Sequence, residues 1–477
     1  MSVQRTGPST KQPTARPAGS GGTGDFGGPV ERSRELPRGA GSAAAVLRAV
    51  LDHGPVARTF IGAATGLSPA AVSRQTADLI SLGLLRELPA AACAPRAGRP
   101  SVPIDVDTDT HLACGVHIAV PMVTFGLVDL RGRTVAREQV PHGGDAQATL
   151  ALVVRHLPGF LRRHAARRRV LGLGVVTGGH VDTRTGTVVE HEPLGWRNLP
   201  LGPLLAARTG LPVSVDSHAR ALAGAEILFG EPRARSSLIH LFVGHVVDAA
   251  IATDGVVHRG GHSAAGRVAH LRIRGEDRLC ACGDTGCAQA VLSDGALLAT
   301  AVEQGVLPRR DPELLRDAVA AGEHRVIELV RRRLRGVAKV AATLLDMFDP
   351  EVLVLTELGS IYQPQLLPDL FEEIAASSRT CTDPERVVRP NSFGQDVLAV
   401  AAAATVLESV HRSPRALRPV NLGGWTNPGN SVKPTGRADA ASRVSPGRGA
   451  SPASGAPQRN NGPNPARDRR SSVAVAK

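Results

Sequence analysis

The chain has 477 residues, enough for two or three domains, and a formal net charge of +13. No apolar run reaches the ~18 residues that a membrane-spanning helix needs, so we expect no membrane partner. Most of the excess charge lies in residues 412–477, which hold twelve Lys/Arg and two acids, so the charge alone does not indicate a nucleic-acid-binding core.

Both ends of the chain have the composition of disordered segments. Residues 1–38 and 411–477 are rich in Pro, Gly and Ser and poor in large apolar side chains. The basic tail is either a solvated extension or a weak, nonspecific attractor of DNA. The polar start lacks a signal peptide and cysteines are few, which predicts a reduced, cytoplasmic protein.

Residues 39–107 have the pattern of a winged helix-turn-helix. Two short amphipathic segments, SAAAVLRAVLDHG and RTFIGAATG, precede a third that begins with Ser68 as N-cap and Pro69 at the first helical position. In the second segment we expect Phe60 to face inward. Leu84 and Leu85 fit one short strand, and Val102, Ile104 and Val106 fit a second, which together predict the wing.

The start of the third helix carries the side chains expected to contact DNA. The predicted outward residues are Ser68, Ala70, Ser73, Arg74 and Gln75. Arginine can pair with guanine and glutamine with adenine in the major groove, and a serine can bind phosphate. Arg96 and Arg99, in PRAGRPS, either enter a minor groove or belong to an ordinary linker.

The charge of this module gives little support to DNA binding. Residues 41–110 hold six arginines and six acids, so the module is net neutral. Affinity for DNA would have to come from the placement of charge, from a dimer or from the tails. A helical triplet can also bind protein, and that alternative stays open.

One histidine and three cysteines form a predicted metal loop over residues 270–287. The residues are His270, Cys280, Cys282 and Cys287, with Gly283 and Gly286 as turn residues. Imidazole and thiolate are the ligands that structural zinc prefers, and four of them close a tetrahedral site. A disulfide is the weaker alternative.

From residue 108 to 410 strand and helix patterns alternate, which predicts a layered α/β domain. The segments GVHIAVPMVTFGLVDLRG, GLGVVTGGHVDTRTGTVV, LGWRNLPL, PVSVDSHARALAGAE, FDPEVLVLTELG and the metal loop together resemble the ROK family. With the N-terminal module, residues 42–410 resemble that family's transcriptional regulators. The resemblance implies a two-lobed actin-like, ribonuclease-H-like sugar kinase fold with a zinc loop beside a sugar site.

The resemblance also implies that kinase chemistry is lost. The family's D-x-G-G-T phosphate loop falls on residues 117–121, which read HIAVP, and its second glycine loop on residues 244–250, which read GHVVDAA. Bulky side chains and Asp248 would displace or repel phosphate. The catalytic carboxylate falls on His218, and rescue by Asp216 is a minor alternative.

The sugar pocket that the family implies is altered as well. Residues at its positions here are Ser217, His218, Arg220, Arg267, His270 and Gln289. Three family acids are replaced by His218, Arg267 and Gln289, so we expect a positive pocket that suits an anion such as a sugar phosphate. A decayed pocket with no ligand is the alternative.

These observations predict a DNA-binding transcriptional regulator, most simply a repressor. The winged module would bind a palindromic operator as a homodimer or higher oligomer, and a catalytically dead ROK domain would sense a sugar or sugar phosphate. The alternatives are an active ROK sugar kinase with an appended DNA-binding head, and a ligand-blind assembly protein.

Overall fold

A computed structural model describes residues 41–89 and 102–417. Arg96, Arg99, the arm 1–38 and the tail beyond residue 417 lie outside the described residues.

The N-terminal module, called the head below, contains three helices and a two-stranded antiparallel sheet. Its elements are α1 Ser42–His53, α2 Arg58–Thr65, α3 Pro69–Ser81, β1 Leu85–Glu87 and β2 Ile104–Val106. The Ser68 hydroxyl accepts a hydrogen bond from the Ala71 amide at 3.3 Å, which caps α3 as its sequence predicts. Two expectations are wrong: Phe60 is 41% exposed, and Val102 lies exposed before its strand begins.

The first lobe of the following body is built on a five-stranded sheet with the order β10-β6-β3-β4-β5. Its elements are β3 His111–Ile118, β4 Met122–Val128, β5 Thr134–Pro141, α4 Ala146–His164, β6 Arg169–Thr177, β7 His180–Asp182, β8 Thr187–His191, β9 Trp196–Leu199, α5 Leu201–Thr209, β10 Val213–Ser217 and α6 His218–Phe229. Strands β7, β8 and β9 form a small separate sheet.

The second lobe repeats this plan with the strand order β13-β12-β11-β14-β15. Its elements are β11 Ser237–Val243, β12 Val247–Thr253, β13 Val256–Val257, α7 Ala288–Leu292, α8 Asp294–Glu303, α9 Pro312–Ala321, α10 His324–Phe348, β14 Val352–Glu357, α11 Leu358–Tyr362, α12 Leu367–Ser377, α13 Pro384–Val387, β15 Val388–Pro390 and α14 Val397–Arg412. In each lobe an antiparallel meander is extended by two parallel strands beside its first strand. The α/β expectation is thereby confirmed, and the repeated strand order is that of a ribonuclease-H-like lobe.

The last helix, α14, returns to the first lobe and crosses the face of its sheet. Gly115 and Gly174 permit this close approach, because a Cβ at Gly115 would lie 2.7 Å from the Ala403 nitrogen and one at Gly174 would lie 1.9 Å from the Ala402 carbonyl oxygen. The same helix packs against α6. The helix therefore ties the C-terminal end of the described chain to the first lobe.

The head and the first lobe share one apolar core. Val46 and Leu47 of α1 are in the same buried cluster as Leu171 of β6, Leu228 of α6 and Leu407 of α14. Burial of such side chains stabilises a fold by about 2 kcal/mol each, so the head is packed onto the body rather than merely tethered to it. No helix among the described residues is long and apolar enough to span a membrane.

Candidate functional site

The predicted metal loop folds so that its four side chains converge. The ligand atoms of His270, Cys280, Cys282 and Cys287 all lie within 4.8 Å of one another. His270 Nδ1 is 3.8 Å from Cys280 Sγ, and Cys282 Sγ is 3.7 Å from Cys287 Sγ. A tetrahedral ion with metal–sulfur bonds of ~2.3 Å holds its sulfurs about 3.8 Å apart, so the cluster has the dimensions of a four-ligand metal site.

The backbone of the loop sets this geometry. The amide of Cys280 donates to the Asp284 carbonyl at 2.7 Å, and Gly286 takes a φ of 71°. A Cβ at Gly286 would lie 2.4 Å from the Glu276 carbonyl oxygen, so only glycine fits there. Burial and the neighbouring sulfurs raise the pKa of Cys287 to about 12, so the thiols cannot readily ionise together unless a cation lies between them.

A cavity of about 260 Å³ opens beside the metal loop. The lining residues are Gly179, Glu190, Glu192, Pro193, Arg197, Val246, Val247, Asp248, Arg267, Ala269, His270, Ala281, Cys282 and Gln289. Its size is near the lower end of the range for small-molecule sites, ~300 Å³. Of the six predicted pocket residues, the structure brings Arg267, His270 and Gln289 together here.

The charge of this cavity is balanced, which corrects the expectation of a positive pocket. The Glu190 carboxylate forms an ion pair with Arg197 at 2.7 Å and lies 3.8 Å from the Arg267 guanidinium. Glu192 and Asp248 add two more carboxyl groups to the lining. Burial raises the pKa of Asp248 to about 7, although Arg220 and Arg267 oppose the shift. Glu190, Glu192 and Arg197 escaped the sequence reasoning, although they flank the LGW segment that contributes to the ROK resemblance.

Gln289 ties the metal loop to the second glycine-loop segment. Its side-chain oxygen accepts from the Val247 amide at 2.9 Å, and its nitrogen donates to the His245 carbonyl at 2.7 Å. A glutamate, the family residue, could accept the first bond but could not donate the second. Gln289 therefore fixes the cavity wall in addition to lining it.

The other three predicted pocket residues lie buried outside the cavity lining. Arg220 is in an ion pair with Asp216 at 2.7 Å and donates to the carbonyls of Ser263 and Val181, each at 2.9 Å. Ser217 is the buried N-cap position of α6. A side chain committed to buried partners is not free to bind a ligand, and this is the physical reason for the correction.

His218 occupies the implied position of the catalytic carboxylate and is packed against another imidazole. Its ring centroid lies 4.3 Å from that of His117, and both rings are buried. Burial lowers the pKa of His117 to about 3 and that of His218 well below its ordinary value, so both rings are neutral at pH 7. Asp216, the acidic residue nearest to His218 along the chain, is held between Arg220 and Arg259.

Both implied phosphate-loop segments are tight hairpin turns. Ala119 donates to the Met122 carbonyl at 3.1 Å between β3 and β4, and Gly244 donates to the Val246 carbonyl at 3.0 Å between β11 and β12. His245 Nδ1 lies 3.3 Å from Asp294, which is paired with the buried Arg333 at 2.9 Å. The second turn is therefore anchored by the contact of His245 with Asp294, which Arg333 holds in place.

On the head, the start of α3 lies exposed. Ser68, Ala70, Ser73 and Arg74 are solvent-accessible, as the capped helix predicts. Gln75 is 3% exposed, so the expectation that it faces outward is wrong. It lies one position before the buried Thr76 and four before Leu79, on the helix face that packs inward.

The far end of α6 contacts the head. Arg48 of α1 donates to the Leu228 carbonyl near the end of α6 at 3.2 Å, and the first turn of α6 carries Arg220, whose charge acts on Asp248 of the cavity lining. A single helix of twelve residues thus joins the ligand-sized cavity region to the head.

The family model described as "ROK family" matches residues 113–408. This chain belongs to the ROK family.

Its relatives within the ROK family include named regulators. Transcriptional regulator Rv0485 of Mycobacterium tuberculosis is 34% identical over 389 residues, covering 78% of this chain and 86% of the relative. The xylose repressor of Caldicellulosiruptor bescii is 28% identical over 348 residues, covering 69% of this chain and 86% of the relative.

A solved ROK structure has the same overall architecture. A ROK family transcriptional regulator, described as a homologue of the E. coli MLC protein, has a TM-score of 0.63 and 23% identity, covering 78% of this chain and 96% of that one. At 23% identity this likeness supports the fold alone. The alignment covers 78% of this chain and so extends beyond residues 113–408, which the family model matches.

Proposed function

We propose that this ROK-family chain is a DNA-binding transcriptional regulator that acts in the cytoplasm, and most simply as a repressor. The exposed, capped start of α3 carries the proposal. This start of α3 presents Ser68, Ala70, Ser73 and Arg74 to solvent. Helix α3 follows α2 and a turn, and β1 and β2 would form the wing. This is the arrangement by which a winged helix-turn-helix enters a major groove. The regulator names of the relatives support the same reading.

Selection of duplexes from a random library by the full-length protein, followed by footprinting, tests this function. We expect a palindromic site, because a homodimer places two α3 helices on two half-sites. The Arg74→Ala variant should lose ~1–3 kcal/mol of discrimination at one base pair of each half-site. An Arg274→Ala variant, which removes an exposed arginine of the metal loop, serves as the control. Failure to enrich any sequence would contradict the function.

The metal cluster is proposed to hold zinc in a structural role. The donor set is one nitrogen and three sulfurs, which zinc prefers, from His270, Cys280, Cys282 and Cys287. Because four ligands complete a tetrahedral shell, the ion would have no open position for catalysis. The ion would hold the loop that forms one wall of the cavity. Metal analysis of purified protein should find one zinc per chain.

The cavity is proposed to take a small sugar. Carboxylates of Glu190 and Glu192 can accept hydrogen bonds from hydroxyls, and Arg267 and His270 can donate to them. Because three carboxyl groups accompany two arginines, the lining favours a neutral sugar over the sugar phosphate that the sequence suggested. Calorimetry with neutral sugars and sugar phosphates distinguishes the two classes, and Arg267→Gln should weaken whichever binds.

We propose that the body has no kinase activity. The buried His117–His218 pair stands where the resemblance places a phosphate loop and a catalytic carboxylate, and the turn at Gly244 is anchored by the contact of His245 with Asp294. The Asp216 carboxylate beside this position is held by Arg220 and Arg259, and burial lowers the pKa of His218, so neither group is suited to take a proton from a sugar hydroxyl. Turnover of ATP with a panel of hexoses would contradict this assignment.

A further inference from the structure

The body carries a dense arginine surface beside the head. Between Ala146 and Val181 the sequence has six arginines and no acidic residue. We call Arg155, Arg162, Arg163, Arg167, Arg168 and Arg169 the arginine surface. They lie along the second half of α4 and in the turn that leads into β6.

The arginine surface is exposed and nearly unpaired. Arg155, Arg162, Arg163, Arg167 and Arg169 are exposed, and Arg168 is half-buried. Among the residues that the structure describes, only Arg163 of the six has a carboxylate partner, Glu138 at 2.8 Å. Arg155 and Arg162 are seven residues apart on α4, nearly two turns, so they share one helix face. Uncompensated like charges held this close create a strong positive potential.

Hydrogen bonds place this surface next to α3. The Arg169 amide donates to the Thr110 carbonyl at 2.9 Å, and the neighbouring His111 ring is 2.8 Å from the Leu82 carbonyl at the end of α3. Arg74 precedes Leu82 by eight residues, or about 12 Å of helix. The surface thus begins beside the C-terminal end of the helix that is proposed to read bases.

We propose that the arginine surface binds the phosphate backbone of the DNA that flanks the site read by α3. This rests on the proposed function and deepens it. It supplies the attraction that the head lacks, since residues 41–110 carry six arginines and six acids. Phosphate contacts of this kind add affinity and position the protein but carry no sequence information.

The salt dependence of DNA binding by the full-length protein tests the proposal. The probes are a selected 40-bp duplex and a scrambled duplex of the same length. For the variant R155Q/R162Q/R167Q we expect the slope of log affinity against log salt to fall by about 2 to 3, because each lost phosphate contact removes about 0.9. The slope should fall by the same amount on the selected duplex and on the scrambled duplex. The control R332Q/R335Q/R379Q removes the same charge from exposed positions of the second lobe and should leave the slope unchanged.

The outcomes separate this proposal from the proposed function. Wild-type protein that prefers the selected duplex, with an unchanged slope in R155Q/R162Q/R167Q, overturns the arginine surface alone. Wild-type protein that binds both duplexes equally, with a reduced slope in the variant, supports the surface and overturns sequence-specific regulation. If the variant keeps its DNA slope and instead loses binding to vesicles of anionic lipid, the surface serves a membrane and the proposal is wrong.

Discussion

Arg235 of the body and Asp52 of the head form a bidentate ion pair, in which each terminal guanidinium nitrogen lies 2.9 Å from one carboxylate oxygen. Arg48 contacts the same carboxylate at 3.0 Å and also donates to the Leu228 carbonyl of α6. Burial raises the pKa of Asp52 in spite of the opposing charge of Arg48, which indicates that this carboxylate depends on its partners to stay charged. The head is therefore joined to the body by a polar contact as well as by the shared apolar core.

Removal of the body's half of this contact should loosen the head. In Arg235→Gln we expect the free energy of unfolding to fall by about 1 kcal/mol, since a half-buried carboxylate loses a bidentate partner. Limited proteolysis should then cut the head sooner than in the wild type. Arg309→Gln, which breaks an exposed pair with Asp311, is the control and should change stability by no more than ~0.5 kcal/mol. Equal effects of the two substitutions would show that the contact has no special role.

Loss of one metal ligand should destabilise the second lobe. Cys287→Ser is expected to lower the free energy of unfolding by ~3 kcal/mol or more, because metal binding energy is also folding energy. A chelator should reproduce the effect in the wild type but not in the variant. Cys381→Ser removes a half-buried cysteine outside the cluster and should retain the metal. A variant Cys287→Ser with full metal content and unchanged melting would refute the site.

Acid should destabilise the fold through its buried imidazoles. Burial lowers the pKa values of His117, His240 and His411 each to about 3, whereas the unfolded values are near 6.5. Between these values the unfolded chain binds more protons than the folded one. The free energy of unfolding is therefore highest above about pH 6.5 and decreases progressively as the pH falls, by about 2 kcal/mol per histidine at pH 5.

Urea unfolding at pH 7 and pH 5 measures this dependence. His117→Phe keeps a ring beside His218 and removes one titrating group, so the difference between the two pH values should shrink by about 2 kcal/mol. His53→Gln, at an exposed position, should leave the difference as in the wild type. An unaltered difference in His117→Phe would mean that this imidazole is not buried in solution.

Arg333 should be indispensable for the second lobe. This buried side chain lies 2.9 Å from Asp294 and 3.6 Å from Glu357, and it donates to the Val243 carbonyl at 3.1 Å. Arg333→Gln would leave the buried Glu357 and the half-buried Asp294 without this cation, which costs about 3–5 kcal/mol. The neighbouring Arg332→Gln is exposed and should cost less than ~0.5 kcal/mol, as thermal unfolding can establish. A comparable loss in both variants would contradict the network.

The elements of the fold were largely predictable because their signals are local. Ser68 with Pro69 marks the start of α3, and the apolar runs of β6 and β11 indicate buried strands. Phe60 and Val102 were misjudged because inward orientation depends on which neighbours a helix or strand meets. The shared core of head and first lobe likewise brings together residues that are distant in sequence, such as Leu47 and Leu407.

The metal cluster was predictable from composition, and the cavity only in part. Thiol and imidazole groups are recognisable as metal ligands from the sequence alone, wherever the loop lies in the fold. The four residues are His270, Cys280, Cys282 and Cys287. The charge of the cavity could not be inferred from the sequence. Glu190, on β8, lies far in sequence from its neighbour Arg267, and Arg220 forms an ion pair with Asp216 instead of lining the cavity. Ion pairing between distant segments decides which charges a ligand would meet.

Binding of full-length protein to a library-selected duplex and to its scrambled counterpart, at physiological salt, tests the central claim most directly. The account predicts that the selected duplex binds at least 1,000-fold more tightly, as specific regulators do, and that Arg74→Ala reduces this ratio. Equal affinity for the two duplexes would contradict a regulator that reads sequence through α3.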